Sequence, residues 1–146
     1  MPRVVSVPPA TIPACPPSGL RASAERGEAA AGYREMTVYL ENCGDRDYQL
    51  QGRPDIVVLG ADRNPLPVVV EPNRLVTAPP RRIVLKPGEK ASSTLSWHST
   101  VEAGKEVATG AYLAVAALAG TEHQTIALPS ALDLGTTGKL ATTAWN

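Results

Sequence analysis

The sequence predicts an all-β protein, an antiparallel sandwich held in a single domain. Three observations predict it. The stretch from residue 32 to 59, GYREMTVYLENCGDRDYQLQGRPDIVVL, reads as an alternating strand, a cysteine-bearing turn and a second, more apolar strand. The 14 prolines and 12 glycines are spread along the chain, as many turns between short strands require and long helices do not. Two cysteines, Cys15 and Cys43, in so turn-rich a chain fit one disulfide and an oxidising compartment.

Length and composition agree with one domain. A chain of 146 residues buries roughly two-thirds of its unfolded surface. The apolar fraction of 43% is adequate for a core. Phe is absent and there are only two Trp and four Tyr, so Val, Leu, Ile and Ala must build that core.

In chain order, residues 1–14 form an extended, proline-rich arm, and residues 15–146 form the sandwich domain. Val4-Val5-Ser6-Val7 can add a strand to a sheet edge, on this domain or on a partner; a tail pinned at Cys15 is the rival reading. Residues 19–32 read as strand, turn, strand, with the turn at Glu25-Arg26-Gly27-Glu28. In residues 34–41, Met36, Val38 and Leu40 share one parity and Glu35, Thr37, Tyr39 and Glu41 the other, giving one buried and one wetter face. Asn42-Cys43-Gly44-Asp45 stops this strand with turn residues. Tyr48-Gln49-Leu50 can pair next, Gly52-Arg53-Pro54 breaks the chain, and residues 55–59 form a more buried strand.

Residues 60–65 form a loop. Pro65 and Pro67 confine residues 66–70 to an edge strand. Residues 71–80 are irregular, with Leu75-Val76-Thr77 touching the sheet. Residues 82–85 form a strand, and Lys86-Pro87-Gly88-Glu89 suits a type II turn. Ala91, Ser93, Leu95 and Trp97 then face the core, with Ser92, Thr94, Ser96 and His98 on the opposite face. Residues 100–110 form a polar loop, 111–119 a buried strand, 121–124 a turn and 125–128 a returning strand. A turn within 132–140 leads to a last strand over 140–145.

Net charge is zero, with 14 basic and 14 acidic residues, so nothing draws in nucleic acid or anionic lipid. Arg81, Arg82 and Arg74 make a small basic patch that reads as a solvated strand end. The longest apolar run, residues 111–119, falls far short of the roughly 20 residues of a membrane span. The first fourteen residues hold four prolines and no continuous apolar core, so they are not a signal peptide, and Met1 would head an already processed chain. Ile12-Pro13-Ala14-Cys15 has the outline of a lipoprotein cleavage site but lacks the hydrophobic segment before it. A lipidated Cys15 would also leave Cys43 unpaired. A bond between the cysteines is worth roughly 3–4 kcal/mol by loop closure; the rival is a pair of buried thiols in a reducing compartment.

No local signature of catalysis occurs: no G-x-S-x-G, S-x-x-K, H-E-x-x-H or dinucleotide fingerprint. His98, beside Ser96 and Ser99, can join a serine and a carboxylate in space, though an exposed strand histidine accounts for it as well. His98, His123 and Met36 are scattered, and Asp45, Asp47 and Glu41 lack the rest of a calcium loop, so no metal or other cofactor is expected. Tyr33, Tyr39, Tyr48 and Tyr112 offer a carbohydrate- or protein-binding face if two of them stand exposed together; sheet packing is the plainer account.

Several segments in order, Cys15-Pro16-Pro17-Ser18-Gly19-Leu20, Ala30-Ala31-Gly32-Tyr33-Arg34, Leu40-Glu41-Asn42-Cys43-Gly44 and Leu50-Gln51-Gly52-Arg53-Pro54, resemble a known family. So do Leu85-Lys86-Pro87-Gly88-Glu89, Leu95-Ser96-Trp97 and the ending from Leu132 through Leu140 to Trp145. The chain resembles the secreted or lipid-anchored actinobacterial proteins grouped as a domain of unknown function, from about Cys15 to Trp145. The resemblance implies an immunoglobulin-like sandwich, export, and pairing of Cys15 with Cys43. In the wider family the second cysteine often lies nearer Tyr48, whereas here it follows Asn42. The resemblance brings no activity, cofactor or catalytic residue. The expected role is therefore a non-enzymatic envelope or extracellular interaction module, presenting loops or the arm at residues 4–7 to a protein or glycan partner. A hydrolase built on His98 and a metal-binding envelope protein are the rivals.

Overall fold

The computed structural model describes residues 14–73 and 79–146. The arm expected over residues 1–14 lies outside these residues except for Ala14, as do Arg74 and the contact expected at residues 75–77. Ten strands form: β1 (Leu20–Ala30), β2 (Tyr33–Asn42), β3 (Tyr48–Leu50), β4 (Asp55–Leu59), β5 (Val69–Pro72), β6 (Ile83–Leu85), β7 (Lys90–His98), β8 (Ala108–Ala116), β9 (Gln124–Gly135) and β10 (Lys139–Thr142). No helix occurs among the described residues, so none there is long and apolar enough to cross a membrane. The strands make a five-stranded sheet in the order β1-β2-β7-β10-β5, a three-stranded sheet β4-β8-β9 and a two-stranded ribbon β3-β6.

The alternation expected in β2 holds. Met36, Val38 and Leu40 are buried, and Asn42 takes the next inward place. Its side chain is a latch: Nδ2 donates to the carbonyls of Arg46 and Leu85, each at 2.7 Å, and Oδ1 accepts from the Gly44 amide. Trp97 lies in the core as expected, with Ala91, Ser93 and Leu95. The Lys86–Glu89 turn closes with the Glu89 amide on the Lys86 carbonyl at 2.9 Å, and Gly88 takes the positive φ that its turn type demands.

Several expectations are corrected. Residues 25–28 do not reverse the chain: β1 runs straight through them with a bulge. Arg26 pairs with Met36 and Ala29 with Arg34, so Gly27 and Glu28 together oppose Glu35. A Cβ at residue 27 would stand 1.9 Å from the Glu35 carbonyl oxygen, which is why the position holds glycine. The reversal comes at Ala31-Gly32, both at positive φ, the geometry of a tight hairpin matched to strand twist.

The edge strand expected at residues 66–70 forms at Val69–Pro72 instead, beyond the two prolines that have no N–H to give. It pairs parallel to β10, the one departure from antiparallel pairing among the described strands. The polar loop after β7 is shorter than expected, because β8 starts at Ala108 and ends at Ala116, three residues early at each end. The returning strand is longer than expected: β9 is continuous to Gly135, and the turn of the 132–140 segment is confined to the residues between β9 and β10. β9 tolerates Pro129 because it is an edge strand whose register breaks there, between Ala127 and Leu132. β10 ends at Thr142, and residues 143–146 continue along β7: the Thr143 amide donates to the Thr94 carbonyl, and Asn146 and Ser92 exchange two backbone hydrogen bonds.

One hydrophobic cluster joins all three sheets. Leu20, Val38, Leu95 and Leu140 from the five-stranded sheet meet Ile56, Leu113, Val115, Leu132 and Leu134 from the three-stranded sheet, with Leu50, Leu85 and Trp145 closing one side. Gln124 clasps the open edge of β1, accepting from the Ala22 amide and donating to the Leu20 carbonyl. Cys15 and Cys43 are bonded, with Cα atoms 5.7 Å apart, and tie the segment before β1 to the turn after β2.

Candidate functional site

The outer face of the five-stranded sheet carries a concavity lined by both aromatic and charged side chains. Strand pairing dictates its shape. Tyr33 of β2 stands opposite His98 of β7, and Glu35 opposite Ser96. Ser96 in turn faces Ala141 of β10, and Ala141 faces Glu71 of β5. Two small side chains, Ser96 and Ala141, thus occupy the middle strands while larger ones stand on either side. The result is a trough of about 330 Å3, with Tyr33 and His98 on one side and Glu71, Asn73 and Lys139 on the other. Small-molecule pockets span roughly 300–1,000 Å3, so this one holds a single small unit.

Most of the trough is built on strands, which fixes its parts; Asn73 and Thr137 lie just beyond β5 and β9. The Tyr33 and His98 rings meet edge to face, with centroids 5.6 Å apart. The Tyr33 hydroxyl donates to Glu35 at 2.7 Å. That bond first, and burial second, hold its pKa above the ordinary 10.0; the Ser96 hydroxyl acts the other way. Tyr33 therefore stays a neutral donor. Asn73 Nδ2 stands 3.5 Å from the Ser96 hydroxyl. Thr137 secures the lip beside His98, its one hydroxyl proton directed to the Leu134 carbonyl at 2.8 Å with the His98 carbonyl at 3.1 Å. Neither Glu71 nor Lys139 has an ion-pair partner among the described residues.

The residues singled out in the sequence are not gathered into one centre. His98 is exposed on the trough wall, and among the described residues its ring has no hydrogen bond to a serine or a carboxylate. Ser96 lies beneath it at 7% exposure, and the Ser99 hydroxyl donates to the Gly32 carbonyl. His123 pairs with Asp55 at 2.7 Å, on the opposite sheet. Met36 is in the core, Asp45 and Asp47 are exposed in the turn beside the disulfide, and Glu41 is engaged by Arg21 at 2.9 Å. No three His, Cys, Asp or Glu side chains among the described residues converge at metal-ligand distances.

Of the four tyrosines, Tyr33 and Tyr39 share the outer face of β2, and Tyr39 donates to Glu25 at 2.7 Å. Tyr112 lies under Arg63, 4.8 Å from ring centroid to guanidinium, and Tyr48 packs against the core. Arg81 of the expected basic patch donates to the Asn146 side chain. Glu71, Asn73 and Lys139 escape sequence reasoning altogether. Alternation around Leu140 places Lys139 and Ala141 outward, but nothing in the sequence says which strand lies beside them.

The fold and its bonded start define a class: a disulfide-tied, all-β domain of mostly antiparallel strands about one core. Within it, the chain belongs to the family described as Domain of unknown function (DUF4232), matched over residues 15–146. No curated protein and no solved structure matches it.

Proposed function

We propose that the chain is a non-enzymatic interaction module of the bacterial envelope or secretome, an immunoglobulin-like sandwich that presents the outer face of its five-stranded sheet to a protein or glycan partner. The observation that carries this reading is the trough: a concave site set largely on strands, with aromatic, acidic, basic and amide groups and, among the described residues, no assembled catalytic set beside it. Export is supported by the bond between Cys15 and Cys43, since such bonds persist outside the reducing cytosol. Cys15 is exposed, so a reducing cytosol would reach it. The sandwich reading is supported by the single core shared between the sheets.

Retention of the purified, oxidised protein on cell-wall and secreted-protein fractions of a host actinobacterium tests the reading. Wild-type protein is expected to be retained and the double variant Tyr33→Ala, Lys139→Ala to be released. Equal retention of both would remove the sheet face from the account. Covalent labelling of a serine near His98 by a fluorophosphonate would replace the binding role with a hydrolytic one.

A further inference from the structure

The interaction-module reading leaves the chemistry of the ligand open, and the trough narrows it. Resting on that reading, we propose that the trough is a saccharide subsite that takes one neutral pyranose unit.

Charge complementarity is the first argument. Glu71 and Lys139 stand on adjacent strands, with Lys139 opposite Val69 and Glu71 opposite Ala141, and neither is neutralised by a described ion pair. A carboxylate only accepts hydrogen bonds and an ammonium only donates them. An anionic ligand meets Glu71, and a cationic one meets Lys139, with unfavourable sign. A neutral polyol satisfies both, because each hydroxyl donates and accepts. Ser96 on the floor, 3.5 Å from Asn73 Nδ2 on the wall, adds a hydroxyl that can do either.

The second argument is shape. A pyranose has one face of C–H groups and a rim of hydroxyls. The Tyr33–His98 ring pair supplies aromatic carbon along one wall, and the hydrogen-bonding groups stand on the other. The volume of about 330 Å3 lies at the small end of ligand sites and accommodates one such ring. Among the described residues nothing closes the site from above, so a longer glycan can run on across the polar sheet face toward Thr94 and Thr37, which pair beside it.

Amide-resolved NMR titration with glucose, galactose, mannose and N-acetylglucosamine tests the proposal, with glucuronate as an anionic control. At least one neutral sugar is expected to give saturable shifts at the Tyr33, Ser96, His98, Lys139 and Ala141 amides, and glucuronate none. Tyr33→Ala should weaken that binding about tenfold, the scale of one aromatic contact. Lys139→Met, at an exposed position, should weaken it without disturbing the fold. Absence of saturable shifts with every sugar, or equal binding by both variants, overturns the saccharide assignment. If a secreted protein is held through the same face while no sugar binds, the saccharide assignment fails and the interaction reading stands. If no host fraction retains even the wild-type protein, the interaction reading itself fails.

Discussion

Replacing Trp145 with alanine should destabilise the protein more than any other change within four residues of the C-terminus. Trp145 is 2% exposed and belongs to the core cluster. Its indole N–H donates to the Ala117 carbonyl at 2.8 Å, and its backbone amide donates to Gly52 at 2.8 Å. A buried indole removes about 150–250 Å2 from water, about 4–6 kcal/mol as an upper bound. Measured Trp→Ala losses in cores run about 3–5 kcal/mol. About 4 kcal/mol is therefore expected, a large part of the roughly 5–15 kcal/mol that holds a domain together. At this chain length that lowers Tm by roughly 10–15 °C. Trp145→Phe keeps most of the area and deletes the donor to Ala117, so about 1–2 kcal/mol is expected. Urea unfolding of the oxidised protein, followed by far-UV circular dichroism, measures both; Trp97 remains as a single fluorescent reporter in either variant. A loss under about 1 kcal/mol in Trp145→Ala, with an unchanged m-value, would refute the claim that the C-terminal residues plug the core.

Gly27→Ala should cost about 1–3 kcal/mol, because the new methyl meets the Glu35 carbonyl and the bulge must open; hydrogen exchange should quicken selectively along β1 and the start of β2. Cys15→Ser should cost about 3 kcal/mol in urea unfolding, and reduction of the wild-type protein should reproduce the drop. Tyr33 and Tyr39 have folded pKa values raised above 10.0, first by their hydrogen bonds to Glu35 and Glu25. The stabilisation they lend is complete below pH 10 and is lost as pH rises through their folded values. Ultraviolet titration should show both ionising above pH 10, and Glu35→Ala should bring Tyr33 back toward it.

Local pattern made much of the fold legible. Met36-Thr37-Val38-Tyr39-Leu40 could be oriented from parity alone, because a strand puts successive side chains on opposite faces whatever lies next to it. The same rule placed Trp97 inward and Ser96 and His98 outward. The turn at Lys86-Pro87-Gly88-Glu89 was legible because Pro and Gly each restrict or free φ within their own residue. The turn assigned to residues 25–28 failed for a matching reason. Gly27 suggests a reversal through its backbone freedom, but here it serves the close approach of a bulge, which depends on Glu35 lying across the strand. Likewise the returning strand was expected over residues 125–128, and only the edge position of β9 lets it continue through Pro129.

The candidate trough was half legible. Tyr33, Ser96 and His98 could be assigned outward from their own strands, whereas Glu71, Asn73 and Lys139 could not be joined to them. Sequence by itself determined the strand-forming character, the inward and outward faces, the turn chemistry and the presence of two cysteines that could bond. Tertiary structure alone decided the order β1-β2-β7-β10-β5, the parallel seating of β5 on β10 and hence the trough between them. The physical reason is the reach of the forces involved. Parity and φ preference act within a few residues, while strand neighbours are chosen by how the whole set of apolar faces closes over one core.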